Sequence, residues 1–162
     1  MHLTNGHSLI YNIDMNNTVG FDKNIICADI EYYAVFCTYR RRKVFTGETI
    51  ICRFNELVDM CMKEMKCEKL SLTVKADHVV IKIRANASLS PASIFFNLRH
   101  STSSVLRQEF EFLYKTTALW GRKLLLSTKA IQETDYLLFL DEQRRRSGKT
   151  KNGVADVEKN AL

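Results

Sequence analysis

Two kinds of periodicity divide the chain. Up to about residue 100 the apolar positions mostly alternate. Ile25 to about Tyr39 contains the aromatic and β-branched run EYYAVFCTY, a strand composition. Leu70, Leu72 and Val74, then Val79, Ile81 and Ile83, alternate on either side of Lys75-Ala76-Asp77 and predict a β-hairpin. Shorter strands are expected at Leu9 to Ile13, Lys43 to Thr46, Thr49 to Arg53 and Ser93 to Leu98. Between them Leu57, Val58, Cys61, Met62 and Met65 recur at threes and fours, which predicts a short amphipathic helix from Asn55, a suitable N-cap.

From Ser103 to Arg146 the period changes. This stretch has no proline and a single glycine, Gly121. Leu106, Phe110, Leu113, Trp120, Leu124, Ile131 and Leu138 are separated by combinations of threes and fours, one stripe of a helix. A second stripe runs through Phe112, Leu119 and Leu126. Unbroken, such a helix would reach roughly 65 Å, beyond any domain the preceding residues could build. The expected fold class is therefore α+β: an antiparallel β-sandwich head with a short inserted helix, followed by a long C-terminal coiled-coil helix. The expected division is a head over 1–100, a helical dimerisation stalk over 101–146 and a short basic, polar tail over 147–162. The seam residues of a homodimer would be Leu113, Trp120, Leu124, Ile131 and Leu138.

Composition adds limits. At 162 residues with 46% hydrophobic and 26% charged positions, the chain is long enough for its own core. The longest wholly apolar run, Leu137 to Leu140, spans no membrane, and the N-terminus lacks a signal-peptide pattern. Five cysteines, Cys27, Cys37, Cys52, Cys61 and Cys67, form no regular framework and read as free thiols in a reducing compartment. Cys61 and Cys67 have no common zinc spacing, so no metal site is expected. The net charge of +6 points to nucleic acid or an acidic partner, and it is concentrated in Arg40–Lys43 and in Arg144, Arg145, Arg146, Lys149 and Lys151. The second cluster is the candidate for DNA binding or nuclear localisation. The first reads as a solvated loop and the rival DNA contact.

Candidate chemistry is sparse. His2, His7, His78 and His100 are scattered, and His78 beside Asp77 reads as part of a turn. Gly148-Lys149-Thr150 lacks the upstream glycine and strand of a phosphate loop. On these residues no catalytic group and no cofactor is expected, and the chain reads as a non-enzyme.

The layout resembles the XLF/PAXX family of head-and-stalk end-joining scaffolds. The segments that carry the resemblance are Phe45-Thr46-Gly47-Glu48-Thr49 with NELVDMCMKEMK, the hairpin LSLTVKADHVVIKIRA, the stretch Ser93–His100 and VLRQEFEFLYKTTALWGRKLLL. The resemblance implies a nuclear, non-catalytic homodimer that bridges broken double-stranded DNA in non-homologous end joining. It also implies a head contact to a ligase-associated scaffold protein through Leu89, with Lys63 and Lys66 as the nearest basic residues. The tail departs from the family by having no aromatic residue for a Ku-binding motif. Two alternatives share parts of the layout: a centriolar-type head-and-stalk assembly protein, and a pleckstrin-homology-like adaptor with a single C-terminal helix.

Overall fold

A computed structural model describes residues 30–148, with side chains placed as far as Gln143. Its centre is β1 (Glu31–Thr38), whose run Ala34-Val35-Phe36-Cys37-Thr38 is buried throughout. A strand covered on both faces needs such continuous apolarity. β1 pairs antiparallel with β3 (His78–Arg84) on one side and with β4 (Trp120–Ser127) on the other. β2 (Glu68–Lys75) completes a four-stranded sheet in the order β2-β3-β1-β4. The β2–β3 hairpin lies where the alternation places it, with Val74 opposite Val79 and Leu72 opposite Ile81.

One face of the sheet carries the main core. α1 (Glu48–Glu64) and α2 (Pro91–Glu109) pack there. Ile50, Phe54, Leu57, Val58, Cys61 and Met62 of α1 and Ile94, Phe95, Leu98 and Leu106 of α2 meet Ala34, Phe36, Val79, Ile81 and Ile83. Phe36, Phe45 and Phe54 surround Trp120 at centroid distances of 4.7, 5.7 and 5.7 Å. The opposite face is covered more thinly. There α4 (Glu133–Gly148) lays Phe139, Tyr136 and Leu140 on Val35, Cys37, Val80 and Leu125.

The sandwich with a coiled-coil stalk is not what forms. The stretch from Ser103 to Arg146 is divided among the end of α2, a single turn α3 (Glu111–Tyr114), the edge strand β4 and α4. Phe110 leaves the helical region at φ −112°, ψ 109° and ends α2. Lys115-Thr116-Thr117 then supplies no strong helix-forming run, and Trp120-Gly121 starts a strand. Leu124 and Leu126 face the main core while Leu125 faces the second cluster, so three consecutive leucines are each covered. Heptad-like spacing cannot separate this case from a helix, because a strand buried on both faces is apolar at every position.

Two expected strands are also helical. Thr49–Arg53 belongs to α1, which begins seven residues before the Asn55 cap expected from sequence. Ser93–Leu98 is the start of α2, where Ser90 Oγ accepts from Ser93 N at 3.1 Å and Pro91 occupies the first turn. That Ser-Pro start is a helix signal in its own right. The expected strand at Leu9 to Ile13 lies outside the described residues.

Candidate active site

The turn after β1 and the β2–β3 turn come together because Cys37 is in register with His78. Thr38 fastens them: its N–H donates to the Asp77 carbonyl at 3.0 Å, and its hydroxyl donates to the carbonyls of Arg42 at 2.6 Å and Asp77 at 3.1 Å. A short 3₁₀ turn, Tyr39–Arg41, follows. Arg40 and Arg41 both hold left-handed backbone conformations, with φ 56° and 54°. Two adjacent non-glycine residues there cost on the order of 1–3 kcal/mol each. The conformation aims Arg41 back over the sheet, away from solvent.

Arg41 Nε and Nη2 bind Asp77 Oδ2 at 2.8 and 2.7 Å, and Nη1 donates to the Leu140 carbonyl of α4 at 3.0 Å. The guanidinium thus ties the β2–β3 turn to the helix. Asp77 Oδ1 lies 2.7 Å from His78 Nδ1, and His78 Nε2 lies 2.5 Å from the Tyr136 hydroxyl. With Nδ1–H directed at the carboxylate, Nε2 accepts the Tyr136 proton. The result is a continuous polar line, Arg41–Asp77–His78–Tyr136, across three separate segments of chain.

Its electrostatics are consistent with these roles. Burial would raise the Asp77 carboxyl, but hydrogen bonds from His78 and Arg41 outweigh it and hold the group below its usual range. Burial raises the Tyr136 phenol, with Cys37 and Asp77 adding to the effect and Arg41 opposing it. Tyr136 is therefore protonated at neutral pH and needs a base to become a nucleophile. The half-buried ring lines a cleft of about 270 Å³ with Val35, Val80, Ile131 and Glu133. A hydroxyl in reach of a base, which is itself oriented by a carboxylate, is the arrangement required for nucleophilic catalysis. No local pattern marks this line: Asp77-His78 has the composition of a turn, and Tyr136 stands 58 residues further on.

Among the described residues no group of three or more His, Cys, Asp or Glu side chains is placed to hold a metal ion.

The residues singled out from sequence are dispersed. Leu113 and Trp120 are in the main core and Leu124 packs against it, while Ile131 joins the cluster beneath α4. Of the expected seam only Leu138 is broadly exposed, at 69%, and the other four are buried or half-buried within this chain rather than aligned on one helix. Leu89 packs against the main core in the loop before α2. Lys63 and Lys66 are exposed at the far end of α1. Arg144, Arg145 and Arg146 belong to α4, and Lys149 and Lys151 lie outside the described residues. In the other basic cluster Arg41 and Arg42 are structural. Arg42 donates to the carbonyls of Ala118 at 2.5 Å and Tyr39 at 3.2 Å. Arg40 and Lys43 face solvent from the same turn.

The family model described as "Transposase IS200 like" matches residues 27–136, a window that ends on Tyr136. A solved chain described as a transposase from Deinococcus radiodurans superposes with a TM-score of 0.65 at 15% identity, covering 76% of this chain and 98% of that one; this is a likeness of fold. A REP-associated tyrosine transposase bound to a REP hairpin is more distant, with a TM-score of 0.48 at 10% identity over 75% of this chain and 68% of that one. No curated protein sequence matches.

These matches overturn the resemblance to XLF/PAXX scaffolds, and with it the expectations of a non-catalytic protein, of end-joining repair and of a coiled coil. The centriolar and adaptor alternatives fall too. A ligase-associated scaffold loses its support as partner, whereas DNA remains the partner class that a transposase family works on.

Proposed function

The chain belongs to the IS200-like transposase family, and on that premise we propose that Tyr136 is the nucleophile of a DNA strand-transfer reaction. The observation that carries the reading is the 2.5 Å contact between the Tyr136 hydroxyl and His78 Nε2, backed by Asp77.

In the reaction Tyr136 Oη attacks the phosphorus of a phosphodiester. A new phosphorus–oxygen bond forms to the tyrosine, and the bond to one flanking sugar oxygen breaks. His78 Nε2 takes the phenolic proton, and the departing sugar oxygen gains a proton and becomes a free hydroxyl. Asp77 faces the resulting imidazolium and stabilises it. The phosphotyrosine conserves the energy of the original diester, so attack by another strand's hydroxyl rejoins DNA without an external energy source. Charge growing on the phosphoryl oxygens needs nearby cations. Arg40 and Lys43, exposed on the turn that carries Arg41, are the cations assigned this part, while Arg41 is committed to Asp77 and α4.

Moving a segment requires two ends to be processed, so the active unit is read as a homodimer with one Tyr136 for each end.

The test is strand cleavage with trapping of the covalent adduct. Incubated with single-stranded and hairpin DNA libraries, the wild-type chain should form a protein–DNA species stable to denaturation, and Tyr136→Phe should lose it while keeping its fold. An adduct that survives in Tyr136→Phe, or wild-type cleavage without any adduct, overturns the assignment.

A further inference from the structure

On the sheet face opposite Tyr136, α2 and the edge strand β4 enclose a second cleft of about 470 Å³. Phe96 and His100, one turn apart on α2, line it with their rings parallel to within 8° and 5.9 Å apart. Phe96 is 68% exposed, which is unusual for a phenylalanine on a helix that otherwise faces a core. Trp120 forms part of the opposite wall. Arg99 and Arg122 also line the cleft, and among the described residues no acidic one does. Arg99 donates from Nη2 to the Gly121 carbonyl, and its Nε has no partner among the described residues. Burial lowers the Arg99 guanidinium from its usual range. Exposed Arg122 makes no ion pair among the described residues.

An aromatic pair open to solvent beside two arginines without counter-anions suits a ligand with a flat apolar ring and an adjoining anion. An unpaired nucleotide has both. We infer that this cleft binds an unpaired nucleotide of the DNA substrate, with the base stacked on Phe96 and the phosphate held by Arg122 and Arg99. The inference rests on the transposase reading and deepens it by assigning a single-stranded DNA contact outside the catalytic line. Stacking of this kind tolerates any base, whereas a duplex hides its ring faces and offers only phosphates. A partly buried arginine gains from an anion because its charge is otherwise uncompensated.

Fluorescence anisotropy of the full chain with a labelled oligothymidylate of about 10 nucleotides tests this. Phe96→Ala should weaken binding roughly tenfold and leave the salt slope unchanged. Arg122→Gln should flatten the log–log salt slope by about 0.7. A blunt duplex should be nearly insensitive to Phe96→Ala. Wild-type affinity for oligothymidylate in both variants overturns the assignment, as does an equal loss on single strand and duplex. The two readings fail separately. Absence of an adduct at Tyr136 with intact sensitivity at Phe96 removes the catalytic assignment alone. An adduct at Tyr136 with no effect at Phe96 or Arg122 removes the cleft alone.

Discussion

The two faces of the sheet are built differently. The face under α1 and α2 is deep and apolar, with Phe36, Phe54, Phe95, Ile81 and Ile83 all essentially inaccessible. Among the described residues the buried apolar side chains of the face under α4 are Val35, Cys37 and Phe139, and Arg41 and the His78–Tyr136 contact hold the helix in addition to packing. The first arrangement stabilises the domain. The second holds a nucleophile in place but leaves a cleft beside it, which a thick core would have filled. Apolar burial is non-directional and scales with area. Hydrogen bonds fix which atom faces which, as a reacting hydroxyl requires.

The largest expected effect separates chemistry from stability. His78→Gln keeps a polar group against Tyr136 but removes the base. Strand cleavage should fall 10²- to 10⁴-fold, by analogy with the usual share of general-base catalysis. The denaturation midpoint should move little, because the main core is untouched. Cleavage within a fewfold of wild type would show that another group takes the proton.

Core truncations come next and compare the faces directly. Phe36→Ala should cost about 3–5 kcal/mol, as expected for a fully packed aromatic. Phe139→Ala, with less around it, should cost about 2 kcal/mol. It should nevertheless reduce cleavage strongly, since Phe139 seats the helix that carries Tyr136. Equal destabilisation in urea melts would erase the distinction between the two faces.

A smaller effect concerns acid. The folded Asp77 carboxyl lies below its ordinary value of 3.8, so its stabilising contribution is present above that pH and is lost as pH falls through the lower folded value. Asp77→Asn should therefore lower stability at neutral pH and flatten the decline below about pH 3.8. An unchanged acid limb in pH-dependent melts would mean that neither His78 nor Arg41 stabilises the Asp77 carboxylate.

Thiol labelling gives the smallest readout. Burial pushes Cys37 up to about 11, with Asp77 adding to this and Arg41 opposing it. At pH 8 only about one Cys37 in a thousand is thiolate. Exposed Cys52 should react with iodoacetamide first, and Cys37 only after unfolding. Early modification of Cys37, read by peptide mass, would show that α4 lifts from the sheet.

Several elements were legible without coordinates. The β2–β3 hairpin follows from strict alternation around Lys75-Ala76-Asp77, and the amphipathic spacing from Leu57 to Met65 marks the second half of α1. Both are local signals, in which one face meets the core and the other meets water. The last third of the chain was not legible in the same way. Leu113, Trp120, Leu124 and Ile131 fall in a helical register, yet they lie on three different elements: a single turn, a strand at two positions, and a loop. Spacing records that a residue is buried, not what buries it.

The sequence by itself determined where apolar residues recur, a basic charge concentrated in two runs, and the short-range elements whose partners lie a few residues away. Tertiary structure alone decided the active line. Arg41, Asp77 and Tyr136 are 36 and 59 residues apart, and no local pattern links them. They meet because β1 is central, because Cys37 falls opposite His78, and because α4 returns across the thin face of the sheet. The strain at Arg40 and Arg41 has the same origin, since a left-handed turn is tolerated there only once Asp77 and the Leu140 carbonyl are in place to hold the guanidinium.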